Sequence, residues 1–377
     1  MDAPRPARPD EFAEVMDFVD LVFRPGQQGR FILQSQYPHA YQPEYARRLI
    51  LVRDQGQIVG NLAIHPLVLR LGEARLRAGG IGVVGTRPER RGEGIMTALL
   101  EDAIRRLRQA RYPLSVLGGD RQRYGWFGWE NGGVQQVFTL TGRHLGPPSP
   151  AERRLRLERF APHPRVCRQL HKLGREHPCW AERPLRDIPL LFARVGRQTW
   201  VCREQGRFAY LVLQRAGRRR QGPYEAIHEA GGDLELARSM IRVLMARYGI
   251  DRLSAIAGPN PQEVALYLPG SAHWRRESAC MVKIVDLALL LQALGPLLRR
   301  RAREAGVGGC FRLVMGEQTG LLDLGPGRAH RIALDEREMV GLFFGIQPLA
   351  ERFARPAFEK LGRLLPLPLY IPPLNTI

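Results

Sequence analysis

The clearest pattern along the chain is a short apolar run, a Gly-rich turn and then apolar residues at helical spacing. The run Ile-Gly-Val-Val-Gly-Thr at residues 81–86 predicts a buried strand. A helix is predicted after the turn by apolar residues that recur on one face: Ile95, Leu99, Ala103 and Leu107. Since the first turn of a helix has free backbone N–H groups and a positive dipole end, this strand–turn–helix unit predicts an anion site.

The residues before this unit predict a helix and an antiparallel meander. Pro9 opens a helix that runs to about Phe23, and residues 24–41, rich in Gly, Gln and Pro, predict a loop over a substrate site. Asp17 and Asp20 on that helix either attract a cationic amine or belong to a solvated face. Strands separated by two-residue turns are predicted at 49–53, 58–71 and 74–86.

After the unit, the pattern predicts a strand at 114–117, a short helix at 122–127 and a strand at 134–141. A Pro-rich boundary follows at 147–150. Beyond it, a second series of strands and one helix is predicted, which looks like a second copy of the same fold without a phosphate loop: strands at 208–214, 224–228 and 252–256, and a helix at 234–248.

The last part of the chain alternates Leu-rich helical patterns with strands such as 310–315 and 329–333. It ends in an apolar segment with four prolines at 364–377, which we expect to be packed because its side chains are costly to leave in water. The expected fold class is mixed α/β, with domains at 1–146, 147–284 and 285–377.

Composition limits the function classes. The chain has 57 Lys and Arg against 37 Asp and Glu, a formal charge of +20, which would suit an acidic partner. Its basic clusters are dispersed and no nucleic-acid motif accompanies them, so we expect a solvated surface and no specific nucleic acid. Five scattered cysteines, no signal peptide and no membrane span predict a cytoplasmic protein with reduced thiols.

The Gly-rich turn distinguishes between phosphate-loop families. Thr97 stands where the dinucleotide fingerprint needs its third Gly, and the triphosphate loop needs a Lys that does not occur here. The segment Arg91-Gly92-Glu93-Gly94-Ile95-Met96 resembles the pyrophosphate loop Arg/Gln-x-x-Gly-x-Gly/Ala of the GNAT acetyltransferase superfamily, with Met96 in place of the last small residue. The alternative is an ordinary strand-to-helix turn with solvated arginines.

The resemblance implies a site for acetyl-CoA. The loop from Arg90 to Met96, with Arg90, Arg91, Gly92, Gly94, Ile95 and Met96, would hold the pyrophosphate. Backbone amides near Val84 and Thr86 at the end of the strand would pair with the pantetheine arm. Many members carry a Glu base on this strand, but no carboxylate lies between Glu73 and Glu89, so the base must come from elsewhere or act through water.

A second motif narrows the resemblance. The chain is similar to the enhanced intracellular survival (Eis-like) branch of this superfamily in its motifs, its tail and its total length. The motifs are Tyr124-Gly125-x-Phe127-Gly128-aromatic, Met96 in the loop and Leu342-Phe343-Phe344-Gly345, and the tail is the apolar segment at the end. This resemblance implies Tyr124 as the acid and the α-carboxylate of Ile377 as the base. It also implies two GNAT-like domains, the second degenerate, a C-terminal domain like a sterol carrier protein, and a hexamer.

The expected function is therefore transfer of an acetyl group from acetyl-CoA to an amine, either a small polycationic or aminoglycoside-like amine or a lysine side chain. One alternative is a protein-lysine acetyltransferase recruited to acidic partners. Another is a non-catalytic coenzyme A sensor or lipid carrier. No metal is expected: His163, Cys167 and His171 share a helical spacing, but no fourth ligand is fixed, so a mixed helix face is the preferred interpretation.

Overall fold

The structure of the protein is a computed structural model that describes residues 1–26, 32–216, 223–347 and 356–375. Its described residues form two compact units. The first unit contains Met1–Gly133 and Ser278–Leu369, and the second contains Val134–Glu277 and residues 370–375. None of the helices in the described ranges is long and apolar enough to cross a membrane.

The elements are numbered in chain order. The strands of the first unit are β1 (Arg5–Pro6), β2 (Leu49–Asp54), β3 (Gln57–Leu71), β4 (Ala74–Thr86), β5 (Leu114–Leu117), β6 (Glu130–Gly132), β15 (Cys280–Ile284), β16 (Cys310–Met315), β17 (Gln318–Asp323) and β18 (Ala329–Leu334). Its helices are α1 (Phe12–Phe23), α2 (Ile32–Gln36), α3 (Ile95–Gln109), α4 (Arg121–Tyr124), α11 (Leu287–Ala305), α12 (Glu336–Phe344) and α13 (Pro356–Gly362).

The second unit has the remaining elements. Its strands are β7 (Gln135–Thr141), β8 (Leu157–Arg159), β9 (Cys179–Ala181), β10 (Arg197–Glu204), β11 (Arg207–Arg215), β12 (Tyr224–Gly232), β13 (Arg252–Ala257) and β14 (Ser271–Glu277). Its helices are α5 (Gly142–Leu145), α6 (Pro150–Arg153), α7 (Pro164–Gly174), α8 (Ile188–Phe192), α9 (Leu234–Tyr248) and α10 (Pro261–Tyr267).

The main sheet of the first unit has the strand order β1-β2-β3-β4-β5-β15-β6. Strands β2, β3 and β4 form an antiparallel meander, and β5 returns parallel to β4 through helix α3. Because side chains alternate along a strand, β2 contributes side chains to the cores on both faces of the sheet. Leu49 and Leu51 pack in the core with α1, whereas Ile50 and Val52 pack in the core with α3.

Helix α3 lies close to the sheet because two strand positions lack side chains. A Cβ at Gly79 would come 2.2 Å from Cδ2 of Leu107, and one at Gly60 would come 2.4 Å from Cγ2 of Ile95. Leu99 and Leu107 on the inner face of α3 are almost fully buried. The predicted helix is therefore confirmed, and its apolar stripe is the face that packs on the sheet.

A smaller sheet in the first unit has the order β17-β16-β18, antiparallel between β17 and β16 and parallel between β16 and β18. Helix α11 packs on it closely enough that a Cβ at Gly320 would meet Leu291 at 2.5 Å. Arg300 of α11 donates to both carboxylate oxygens of Glu73, in the turn between β3 and β4, at 2.9 and 3.1 Å. This small α/β layer is thus tied to the main sheet of the same unit.

The second unit repeats the topology of the first. Its sheet order is β14-β7-β13-β12-β11-β10-β8, with β10, β11 and β12 in an antiparallel meander. Helix α9 then leads to β13, which runs parallel to β12. This series confirms the predicted second copy. The turn before α9 has the carboxylate of Asp233 as its N-cap, which accepts from the Leu236 N–H at 2.8 Å, where α3 has Gly94.

The unit boundaries differ from the expected ones. The strand predicted at 134–141 was placed in the first domain, but β7 pairs with β13 and β14 of the second unit. Strand β15 instead pairs with β5 and β6 of the first unit. Each sheet therefore contains a strand contributed from across the expected boundary, which the local hydrophobic pattern does not reveal. The described residues between Val285 and Leu369 cluster with the first unit and not as a third one.

Three further expectations have mixed outcomes. The stretch at 24–41 contains a short helix, α2, within the described part, and residues 27–31 lie outside it. Asp20 is buried and its Oδ2 accepts from the Ile32 N–H at 3.4 Å, so it does not belong to a solvated face. The tail is packed as expected from Leu364 to Asn375, whereas Ile377 lies outside the described residues.

Candidate active site

The two central strands of the first unit separate at the candidate site. Strands β4 and β5 are paired from Ala78↔Leu114 to Ile81↔Leu117. Beyond Ile81, β4 continues for five residues with β3 as its paired neighbour in the described ladder. The strand thus has one edge open over its last five residues.

The backbone amides of Val84 and Thr86 face that open edge. The N–H of Arg87 donates to the carbonyl of Val59 on β3 at 2.9 Å. Because successive N–H groups of a strand point to opposite sides, those of Thr86 and Val84 point away from β3. Both residues are half-buried, so an extended ligand chain could pair with them as an added strand does.

A bulge shapes this end of β4. The pairing register shifts between Asn61 and Ala63, and Val83 has a φ of +46°. The buried Asn61 side chain donates from Nδ2 to the carbonyl of Val83 at 3.1 Å, which holds the bulge. Neither Asn61 nor Val83 is predicted as a site residue from the sequence, where a lone Asn inside an apolar strand is the one signal that points to the first.

The turn before α3 has the backbone of an anion-binding loop. Gly92 and Gly94 have φ values of +88° and +78°, and a Cβ on either would meet open space. Glycine is therefore needed here for its backbone conformation and not for a close approach. Gly94 is the N-cap of α3, with no side-chain cap, so the first N–H groups of the helix, from Ile95 and Met96 onward, are available to a ligand.

The two arginines of the loop, Arg90 and Arg91, differ in their ion pairing. Arg90 donates from Nε to both oxygens of Glu93, at 2.7 and 2.9 Å, and its Nη1 lies 2.9 Å from Oδ2 of Asp54. This hydrogen bonding lowers the pKa of Glu93 and raises that of Arg90. Glu93 therefore pairs with Arg90 and does not cap α3. Arg91 is exposed beside the glycines, at the free helix end.

Tyr124 is held at the end of α4 in the same unit. Asp120 caps α4 by accepting from the Gln122 N–H at 2.8 Å, and the Tyr124 ring packs in the core with Leu117 and Trp129. Gly119 makes room for the ring, since a Cβ there would come 2.3 Å from Cε2 of Tyr124. Tyr124 is only 8% exposed, and burial raises its pKa, so its hydroxyl carries a proton at neutral pH.

Two more polar side chains of the first unit are buried without hydrogen-bond partners in the described structure. Both ring nitrogens of His65 on β3 and the hydroxyl of Tyr41 are unsatisfied, and their rings lie 4.9 Å apart in an edge-to-face arrangement. Burial lowers the pKa of His65 to about 3, so it is neutral. His65 pairs with Gly80, one residue before the strands separate. Neither Tyr41 nor His65 is predicted as a site residue from the sequence.

The described end of the tail is anchored within the second unit. The buried Arg183 donates from Nε and Nη2 to Oδ1 of Asn375, at 2.8 and 2.7 Å, and it binds both oxygens of Glu229 at 2.8 and 2.6 Å. Arg194 donates to the carbonyl of Leu374 at 3.0 Å. These contacts fix the chain two residues before Ile377.

No metal centre is found in the described part of the chain, where three or more His, Cys, Asp or Glu side chains never form a suitable group. Of the spaced residues 163, 167 and 171, His163 caps α7, with its Nδ1 accepting from the Arg165 N–H at 3.3 Å. Cys167 is buried in the core beneath α7 and α8.

Residues 3–132 match the family model described as the acetyltransferase (GNAT) domain. No curated protein matches the sequence. Among solved structures, a GCN5-related N-acetyltransferase from Anabaena variabilis is similar with a TM-score of 0.70 and 16% identity, covering 99% of both chains.

Two further structures are similar over nearly the whole chain. A probable N-acyltransferase from Enterococcus faecalis has a TM-score of 0.70 and 15% identity over 96% of both chains. Eis1 from Mycobacterium abscessus has a TM-score of 0.64 and 13% identity over 100% of both chains. At such identities the likeness concerns the fold. Residues 3–132 are thus similar to the acetyltransferase (GNAT) domain, and the chain shares the fold of these structures over nearly its whole length.

Proposed function

We propose that the protein transfers an acetyl group from acetyl-CoA to an amine at the open end of β4. The observation that carries this proposal is the combination of an open strand edge at Val84 and Thr86 with the two left-handed glycines before α3. The strand edge suits an amide-containing arm, and the free N–H groups of α3 suit a pyrophosphate. Ile95 and Met96 supply backbone amides, and Arg91 supplies charge.

The reaction needs a neutral amine and a proton for the leaving thiolate. Acetyl-CoA supplies the acyl thioester: a C–N bond forms at its carbonyl carbon as the C–S bond breaks. We assign the proton donor to Tyr124, whose raised pKa keeps the hydroxyl protonated. We assign the base that takes the proton from the amine to the α-carboxylate of Ile377, on the resemblance to the Eis-like branch.

The acceptor is proposed to be a small amine, polycationic or aminoglycoside-like, or a lysine side chain. A protein-lysine acetyltransferase acting on acidic partners is the alternative, since the chain has a formal charge of +20. Its activity on acidic proteins would fall with added salt, whereas activity on small amines would fall less. The Eis-like resemblance also supports proposals of a hexamer and of a sterol-carrier-like fold for residues 285–377.

Steady-state kinetics with an amine panel would test the assignment. Tyr124→Phe should lower kcat at least about 100-fold with the KM for acetyl-CoA nearly unchanged, because it removes only the proton donor. The matched control is Tyr112→Phe, which removes a half-buried hydroxyl elsewhere in the unit. Adding two glycines after Ile377, which moves the terminal carboxylate, should also lower kcat.

Equal rates for the extended and natural chains would refute Ile377 as the base. An unchanged kcat in Tyr124→Phe would refute Tyr124 as the acid. A natural chain that binds acetyl-CoA but acetylates no amine of the panel would favour a non-catalytic coenzyme A sensor or carrier.

A further inference from the structure

The second unit has a cavity of about 330 Å³ lined by residues of β12 and of helices α7, α9 and α10. It lies where β12 ends and α9 begins, beside the start of α10 and the residues that follow α7. The lining is divided between apolar side chains, such as Leu173, Phe208 and Leu266, and polar ones, such as Gln169, Gln262 and Glu263. Concave sites with a few converging polar groups are typical binding sites for small molecules.

The charge of this cavity is opposite to that of the chain. Three of its lining residues are acidic, namely Glu176, Asp233 and Glu263, and none of the lining residues in the described structure is Lys or Arg. The whole chain has a formal charge of +20. The cavity therefore attracts cations in a protein whose overall charge repels them.

Glu263 is a buried side chain with incomplete hydrogen bonding, which indicates a ligand in the cavity. It lines the cavity, yet it is only 5% exposed. Its Oε2 accepts from the Gly258 N–H at 2.8 Å, but its Oε1 is 3.7 Å from Nδ1 of His177, too far for a hydrogen bond. His177 instead contacts the Asn260 side chain at 3.0 Å. A buried carboxylate with an incompletely satisfied oxygen is costly unless a cation or donor approaches it.

The neighbouring ionic groups do not fill this role. Arg183 is the nearest buried cation, and it is bound to both oxygens of Glu229 and to Asn375. Tyr210 also donates to Glu229, at 3.0 Å. The guanidinium is thus committed to that cluster, and Glu263 faces the cavity with one oxygen available.

The cavity is not a second phosphate site. The carboxylate of Asp233 accepts from the Leu236 N–H at 2.8 Å, which satisfies the start of α9 and places negative charge there. In the first unit, the corresponding position before α3 is Gly94, without a side chain. Asp233 also lies 3.7 Å from Nη1 of Arg207. This helix end therefore presents a paired carboxylate in place of the free N–H groups that an anion would need.

We propose that the cavity in the second unit binds a small primary amine as its ammonium cation, with Glu263 as the main partner and Asp233 and Glu176 at the rim. An ammonium has three donors, which suits the free oxygen of Glu263 and the amide oxygens of Gln169 and Gln262. The apolar side chains of Leu173, Phe208 and Leu266 then cover the methylene groups of the amine. This site lies outside residues 3–132 and does not depend on the proposed acetyl transfer.

The binding should release a proton. Burial, and then the charge of Glu229, raise the pKa of Glu263 to about 8, while the Gly258 N–H and Arg183 oppose this shift. The other titratable groups near it are His177, whose pKa is lowered by burial, and the hydroxyls of Tyr210, Tyr267 and Tyr370, all raised. At pH 7 Glu263 is therefore mostly protonated, and an ammonium favours its ionised form. Affinity should rise as the pH rises toward 8.

The test is calorimetric titration of the full chain with 1,4-diaminobutane, and with 1-butanol as the uncharged probe. We expect saturable binding of the diamine at pH 7, about tenfold weaker at pH 6, and no binding of the alcohol. Titrations in phosphate and in Tris should give different heats, since these buffers take up the released proton with different enthalpies.

Matched variants separate this site from the proposed acceptor site. Glu263→Gln keeps an acceptor for Gly258 and should lower the affinity at least tenfold, whereas Glu235→Gln, an exposed acid in the first turn of α9, should not. Asp233→Asn, which can still cap α9, should weaken binding by a smaller factor. Tyr124→Phe should leave this binding unchanged.

Two results would overturn the proposal. One is equal affinity of Glu263→Gln and the natural chain for 1,4-diaminobutane. The other is the absence of saturable binding up to about 10 mM diamine, a concentration at which even weak ligands bind. Failure of acetyl-CoA to bind would refute the proposed reaction and leave these results intact.

Discussion

The anchored tail makes a quantitative prediction. In the second unit, Oδ1 of Asn375 accepts two hydrogen bonds from the buried guanidinium of Arg183, at 2.8 and 2.7 Å. Asn375→Ala removes this acceptor and leaves two buried donors unsatisfied. A buried group left without its partner costs about 1–3 kcal/mol. Taking about 2 kcal/mol, the tail should open about 30-fold more often.

Amide hydrogen exchange measures this opening directly. The N–H of Asn375 donates to the carbonyl of Pro372 at 2.7 Å, so its exchange rate, or that of the substituted Ala, reports whether the tail is closed. We expect exchange of the residue 374 and 375 amides to accelerate about 30-fold in Asn375→Ala. The control, Asn131→Ala, removes an exposed amide of β6 and should not change the tail.

Unchanged exchange in the tail of Asn375→Ala would refute the reasoning, since it would mean that Arg183 does not hold this segment. A further consequence depends on the proposed base. If the carboxylate of Ile377 takes the proton from the amine, Asn375→Ala should lower kcat, while the affinity for acetyl-CoA should stay the same.

Three other predictions concern the first unit. Gly94→Ala forces a side chain into a left-handed conformation at about 1–2 kcal/mol and should weaken acetyl-CoA binding about tenfold by calorimetry, whereas Gly142→Ala, with negative φ and open space, should not. The raised pKa of Tyr124 places the loss of its acid function above pH 10, so an alkaline limb of kcat below pH 9 would contradict that role. Glu11 accepts from Arg5 and Arg8, which lowers its pKa to about 2 from 4.5. Its stabilisation is present above pH 4.5 and is lost as the pH falls toward 2, so urea unfolding should show Glu11→Gln less stable at pH 7 and nearly equal to the natural chain at pH 2.

Local structure was predictable because it depends on local pattern. Helix α9 begins and ends where the apolar spacing places it, at Leu234 and Tyr248, and strand β5 was predicted with its observed bounds. The left-handed conformations at Gly92 and Gly94 follow from residues that can adopt them without strain. These features need no information about distant parts of the chain.

Pairing between distant segments was not predictable from the same pattern. Strand β7, with Gln and Thr beside Val, Phe and Leu, does not show by its composition which sheet it joins, and only its pairing with β13 and β14 places it in the second unit. The ion pairs of Arg90 with Glu93 and Asp54 likewise depend on which side chains the turn brings together. The cluster of Arg183, Glu229 and Asn375 joins residues up to 192 positions apart, a separation at which single-sequence spacing carries no signal.

The most direct test of the central claim is calorimetric titration of the full, untagged chain with acetyl-CoA. The proposal predicts micromolar binding that is lost in Arg91→Glu, which places a negative charge at the free end of α3, and retained in Arg312→Glu, an exposed substitution on the small sheet. Binding retained in Arg91→Glu would contradict the assignment of the pyrophosphate to this loop. No binding of the natural chain at millimolar acetyl-CoA would contradict acetyl transfer at this site.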